Sequence, residues 1–265
     1  MLEHILKEAV RQNASDVHIK AGGVPVFRIN GVLSRQNLSA VSENAITSFI
    51  EQYGTCAVNE TEADFCCRIA GAGSFRVHGY LQNGFLALAV RIIKSAVPSL
   101  SDLNVPPVLE KLAMQRSGLI LVTGPAGSGK STTLAAMVDF INRNKSAHIV
   151  TLEDPPEYRF TEDKSIISQR QVGSDTASFA LGLRAALRQD PDVIMIGELR
   201  DAETAAGAVS AAETGHLVLA TLHTRSAVLA VSRMLDFFAP EKQQQMRAQL
   251  AENLQGVIAQ QLVPG

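Results

Sequence analysis

The sequence predicts an α/β protein whose main domain is a parallel sheet covered by helices, preceded by a smaller α+β domain. Three observations carry this prediction. Apolar strand-like runs alternate with helical stretches after residue 107, three prolines interrupt residues 95–107, and a glycine-rich loop joins the first of the later runs to a helix.

Taken in order, residues 2–12 read as a helix, 16–20 and 24–29 as strands, and 42–53 as a second helix. Asn30-Gly31 between Val24-Pro-Val-Phe-Arg-Ile and Val32-Leu is a hairpin turn signal, so residues 1–95 form the small α+β domain. The run 95–107, Ser-Ala-Val-Pro-Ser-Leu-Ser-Asp-Leu-Asn-Val-Pro-Pro, has no period and reads as an ordered or semi-rigid linker, with the boundary at 96–107. In 108–265, strands are expected at 119–123, 148–152, 193–196 and 217–221, separated by helices as in a parallel sheet buried on both faces. From Glu241 the chain reads as one last helix, with Met246, Leu250, Leu254, Val257 and Ile258 as its core stripe.

The length of 265 residues accommodates two domains, and 46% hydrophobic content supplies apolar surface for two cores. Charges break the N-terminal run, and no stretch approaches the roughly 18 apolar residues of a membrane span, so neither secretion signal nor anchor is expected. A net charge of −2 without a basic cluster argues against a large nucleic-acid footprint, a patch formed only in an oligomer aside, and no direct nucleic-acid partner is expected. Cys56 and the pair Cys66-Cys67 show no CxxC spacing, which reads as buried thiols of a reducing cytoplasm, not as a disulfide framework or zinc site.

The tightest chemical constraint is Leu119-Ile-Leu-Val-Thr followed by Gly124-Pro125-Ala126-Gly127-Ser128-Gly129-Lys130-Ser131-Thr132. Glycines at this spacing let backbone N–H groups wrap phosphates, Lys130 adds a mobile cation, and Ser131 offers a hydroxyl to Mg²⁺. The helix that follows, over 131–142, turns its positive end to the same anion. A nucleoside triphosphate is the implied ligand, and strand, loop and helix together describe a RecA-like P-loop core.

Three further strands end in polar groups where open α/β sheets present their ligands. The first delivers Glu153-Asp154-Pro155-Pro156-Glu157, and the second, Asp190-Pro-Asp-Val-Ile-Met-Ile-Gly197, delivers Glu198. Glu198 is the acid expected to hold a Mg²⁺-bound water or to orient the attacking water. The third strand carries His223 one residue beyond its apolar core.

Asn83-Gly84 marks another hairpin, and centring it there places Arg76 directly opposite Arg91. Like charges so opposed cost up to about 1 kcal/mol unless an anion lies between them. The pair is therefore expected to reach the γ-phosphate of bound nucleotide. Arg184 and Arg188, four apart on the helix before Asp190, leave two readings: pairing with Glu or phosphate across a subunit boundary, or solvation.

These motifs, in this order, resemble the type II/type IV secretion ATPase superfamily, and most closely the PilT-like type IV pilus retraction ATPases. The resemblance runs through Ala14-Ser-Asp-Val-His18, Arg28-Ile-Asn-Gly31, the loop at 124–133 as Walker A, 151–157 as the Asp box, 190–201 as the Walker B region and 215–224 as the His box. It implies a PAS-like N-terminal domain on a RecA-like ATPase domain, with ATP and Mg²⁺ as cofactors. It implies a homohexamer that powers pilus retraction in twitching motility, cytoplasmic and peripheral to the inner membrane through a platform protein, with related pilus ATPases as further partners. Glu153 and Glu198 become essential acids, Ser131 and Glu198 the magnesium contacts, His223 a phosphate sensor, and Arg76 and Arg91 the arginine contacts. The tetracysteine element common in extension and type II secretion ATPases is missing from the sequence, which favours retraction. Arg225 stands where relatives commonly show Asn. Two alternatives remain within this resemblance: an accessory ATP-binding pilus or secretion protein, and a secretion or DNA-uptake ATPase of the same superfamily.

Overall fold

The computed structural model describes residues 1–54, 62–93 and 96–262. The chain divides into two compact units, Met1–Ser95 and Ala96–Gly265.

In the first unit the elements run α1 (Leu2–Arg11), β1 (Asp16–Lys20), β2 (Val26–Ile29), β3 (Val32–Arg35), α2 (Glu43–Tyr53), β4 (Glu62–Ile69), β5 (Gly73–Gln82) and β6 (Phe85–Ile93). The strands form one antiparallel sheet in the order β3-β2-β1-β6-β5-β4. Spacing of three and four along α1 lines up Leu2, Ile5, Leu6 and Ala9, all buried. In α2 the Ser42 hydroxyl caps the first turn by accepting from the Ala45 amide, and Ile46, Phe49 and Ile50 face inward. Both helices contribute to one core with Val17, Ile19, Phe27, Phe75, Val77, Leu88 and Val90, the alternate residues of their strands.

Both Asn-Gly turns have positive φ at the two central residues, 48° and 82° at Asn30-Gly31 and 52° and 81° at Asn83-Gly84. The second sets Gln82 opposite Phe85 and Arg76 opposite Arg91, the register expected from the turn. Strand β2 begins at Val26, not residue 24, because Pro25 has no N–H to pair. Strand β4, which the pattern alone does not single out, pairs with β5 along its whole length. It buries Cys67, whose thiol is pushed up to about 12 by that burial and so stays protonated. Cys56 lies outside the described residues.

The second unit runs α3 (Val108–Ala113), β7 (Gly118–Thr123), α4 (Lys130–Asn144), β8 (His148–Glu153), β9 (Ile166–Gln171), α5 (Phe179–Ala186), β10 (Val193–Ile196), α6 (Ala202–Glu213), β11 (Leu217–Leu222), α7 (Ala227–Asp236), α8 (Pro240–Asn253) and β12 (Leu254–Ala259). Its six strands are all parallel, in the order β12-β7-β11-β10-β8-β9. Leu119 and Leu121 point to a core shared with α5, α6, α7 and α8, while Ile120 and Val122 point to a second core with α3 and α4. Burial on both faces is why β7 and β11 are apolar except for Thr123 and Thr221 near their carboxyl ends. Leu100, from the stretch read as a linker, is buried in the core of α3 and α4.

The single helix expected from Glu241 onward is corrected. The helix stops at Asn253, and Leu254, Val257 and Ile258 belong to β12, which pairs in parallel with β7. Met246 and Leu250 alone of the five expected stripe residues are buried helix positions. Gly256 and the β-branched Val257-Ile258 disfavour helix, and the free edge of β7 gives the segment backbone partners. Arg184 lies on α5 and pairs at 2.6 Å with Glu203 of α6 within the same chain, whereas Arg188 is past the helix end and donates to the Arg184 carbonyl.

Candidate functional site

The second unit holds a cavity of about 270 Å³ at the carboxyl ends of β7, β8, β10 and β11. Its walls bring together Lys130, Ser131, Glu153, Glu198 and His223, five residues expected to share one site.

The loop between β7 and α4 is shaped by its glycines. A side chain on Gly124 would place its Cβ 2.4 Å from the Gln260 carbonyl and 2.4 Å from Ser128 Oγ, so only hydrogen fits. Gly129, at φ 89°, supplies the left-handed residue from which α4 starts. The first N–H groups of α4 and its dipole therefore face the loop. Lys130 is nearly buried, and its ammonium donates to the Gly124 and Pro125 carbonyls at 3.0 and 2.9 Å and lies 3.4 Å from His223 Nδ1. Burial lowers its pKa, and the nearby Glu198 and Glu157 oppose that. Ser131 donates to Glu157 Oε1 at 3.1 Å, and Thr132 shares a hydrogen bond of 3.1 Å with the Tyr158 hydroxyl.

Glu153 ends β8 and is 8% exposed, yet its Oε1 accepts from Thr151 Oγ1 and Gln169 Nε2, both at 2.8 Å. Burial pushes the carboxyl above its usual range even against those two hydrogen bonds. Glu198 is held from both sides: Oε1 is 3.0 Å from His223 Nε2, and Oε2 accepts from Arg200 Nε at 2.7 Å. Arg200 also reaches Asp154 Oδ2 at 3.4 Å, tying the loops after β10 and β8 together. Thr221 of β11 donates to the Gly197 carbonyl, and Thr123 of β7 donates to the Thr224 carbonyl, so neighbouring strands fix the residues beside Glu198 and His223.

Gln169, Arg200 and Thr221 are site residues that sequence reasoning missed. Arg200 follows Glu198 by two positions and could have been found as the cation an acid at that depth requires. Gln169 had no such signal, because it stands on an edge strand with no clear apolar alternation.

Arg76 and Arg91 belong to the first unit, on the sheet face opposite its core. Strand register sets Arg28, Asp16, Arg91 and Arg76 in one row across β2, β1, β6 and β5. Arg91 Nε donates to Asp16 Oδ1 at 2.9 Å, and Arg28 Nε is 4.0 Å from Asp16 Oδ2. Burial acts to raise the Asp16 pKa, but hydrogen bonds from Arg91 and Ser15 outweigh it and hold the carboxyl below its usual range. The negative group that the arginine pair demands is thus supplied in part by the chain itself. The Arg76 guanidinium makes no hydrogen bond or ion pair among the described residues.

A parallel sheet with a glycine-rich loop at the end of one strand, and acids at the ends of its neighbours, is the arrangement with which α/β proteins bind phosphorylated ligands. The chain belongs to the family described as Type II/IV secretion system protein, whose family model matches residues 71–265. It is 43% identical to the uncharacterised protein YggR of Escherichia coli over 98% of this chain and 81% of that one. It is 40% identical to the type IV pilus retraction ATPase PilT of Pseudomonas aeruginosa, over 99% of this chain and 78% of that one. A crystal structure of the pilus retraction motor PilT with bound ADP matches with a TM-score of 0.89 and 43% identity, covering 99% of this chain and 78% of that one. Among the described residues, no helix is long and apolar enough to cross a membrane.

Proposed function

We propose that this protein is an ATPase motor that powers retraction of a type IV pilus. The observation that carries the reading is the single cavity in which Lys130 and the phosphate loop meet Glu153, Glu198 and His223. The names of the two PilT relatives give the pilus its place in the reading.

The loop amides and Lys130 hold the β- and γ-phosphates of ATP. Glu198, oriented by Arg200, aims a water at the γ-phosphorus. A bond forms from the water oxygen to phosphorus as the bond to the bridging β–γ oxygen breaks, leaving ADP and phosphate. Glu153, whose burial raises its proton affinity, takes the proton that the water releases. His223 touches both Glu198 and Lys130, so it registers whether phosphate has drawn the lysine away. The oxygen donors Ser131 and Glu198 suit Mg²⁺, which binds through one or two protein oxygens plus phosphates; when bound, it neutralises developing phosphate charge.

In this reading the first unit is PAS-like and the second RecA-like, joined by residues 96–107. Arg76 and Arg91 complete the site by stabilising charge on the transferred phosphoryl group. Six chains form the ring, and a membrane platform protein holds it at the inner membrane. The test is steady-state Mg²⁺-ATP hydrolysis against protein concentration. Activity per chain that rises with concentration is expected if neighbouring subunits complete each site; constant specific activity through ring dissociation contradicts it.

A further inference from the structure

Strand β12 ends on the back of the phosphate loop. Its next residue, Gln260, donates its backbone N–H to the Thr123 carbonyl at 2.8 Å, and its own carbonyl packs where a Gly124 side chain would be. The Gln260 side-chain amide lies under Gly129, with Nε2 4.0 Å from the position a Cβ there would take. One residue therefore spans the loop from its first glycine to its last.

Two polar atoms in this corner have no partner among the described residues: Gln260 Oε1 and Ser128 Oγ, both buried. Ser128 is 3% exposed, and its Oγ, like the Gln260 carbonyl, lies against the position a Gly124 side chain would take. A buried amide oxygen and a buried hydroxyl without partners are each costly, they stand on two residues that both pack against Gly124, and each is the chemical complement of the other.

We infer that Gln260 is a positioning residue for the phosphate loop: its amide oxygen accepts from the Ser128 hydroxyl when the loop tightens around phosphate. Nucleotide affinity is then set partly by the last strand of the sheet, and displacement of the chain leaving β12 loosens the loop. The inference rests on the reading of 124–131 as the phosphate site.

The test is a double-mutant cycle read by equilibrium binding of a fluorescent ADP derivative to the full chain. Gln260→Met keeps side-chain length and removes the amide, and Ser128→Ala removes the hydroxyl without touching β12. Each single variant is expected to raise Kd about tenfold, and the double variant no further, because the two share one hydrogen bond. For Gln260→Met, KM for ATP is expected to rise while kcat stays within about twofold, since the strand-end acids are untouched. Wild-type Kd in either single variant, or effects that add in the double, overturns the inference. If Gln260→Met melts early, Ser128→Ala alone decides, because it leaves the strand packing in place. Lys130→Ala is the control: if it too binds ADP normally, the phosphate-site reading fails rather than the role of Gln260.

Discussion

The two sheets of this protein carry their chemistry in opposite ways. In the second unit the four inner strands β7, β11, β10 and β8 are buried on both faces, so charged groups appear only at their ends, and these strands deliver Lys130, Glu153, Glu198 and His223 to one cavity. In the first unit one sheet face is free of the core, and alternation along the strands lays Arg28, Asp16, Arg91 and Arg76 across it. The first arrangement desolvates its groups and perturbs their ionisation, as Glu153 and Lys130 show. The second keeps charges accessible, with Arg91 66% exposed, suited to meeting an anion that comes from outside the sheet. A buried end-on site holds its polar groups in a fixed cavity; an open face leaves its charges in solvent.

The contrast breaks most readily at the arginines. Replacing both Arg76 and Arg91 with Ala is expected to lower ATP turnover about 10³-fold, the scale of arginine contacts in phosphoryl transfer, while ATP affinity stays within about tenfold. Turnover and binding measured on the same preparation check this. Unchanged turnover would remove the first unit from the chemistry.

A smaller effect sharpens the account of the buried end. Because Glu153 has a raised pKa in the folded protein, the folded state binds its proton more tightly than the unfolded chain. Its contribution is therefore most favourable below the unfolded carboxyl pKa and is lost as pH rises through the folded one. Glu153→Gln, which keeps an oxygen for Thr151 and Gln169, is expected to abolish turnover yet raise Tm at pH 8 by about 2–4 °C, a change of roughly 1 kcal/mol. The gain should vanish toward pH 4, and thermal melting across that range reads it.

The smallest effect belongs to the open face. Asp16→Asn removes the carboxylate from the row of three arginines, and exposed pairs of this kind contribute about 0.2–1 kcal/mol. A loss of stability of that size at low salt, shrinking as salt is added, is the expected melting behaviour. A loss several times larger would mean the row acts as a buried network.

Legibility followed the same division. The strands β7, β8, β10 and β11 could be read as continuous apolar runs because each is covered on both faces. Strand ends followed, and with them Glu153, Glu198 and His223. The edge strands resisted: β9 is only partly buried and mostly polar, and β12 continues the helical spacing of α8 so closely that only Gly256 and the β-branched Val257-Ile258 hint at the change. With β9 unread, Gln169 and its hydrogen bond to Glu153 were out of reach. The Arg76–Arg91 register was legible because an Asn-Gly turn fixes it locally. The partner of Arg91 was not, since Asp16 lies 75 residues earlier and meets it only because β1 pairs with β6.

In the proposed function the second unit's cavity both holds ATP and supplies the acid that directs its hydrolysis. The most direct measurement compares ATP affinity and single-turnover hydrolysis in wild type and Glu198→Gln. Affinity within about threefold of wild type and a hydrolysis rate lower by about 10²-fold or more are expected. A Glu198→Gln protein that hydrolyses ATP at the wild-type rate would contradict that reading.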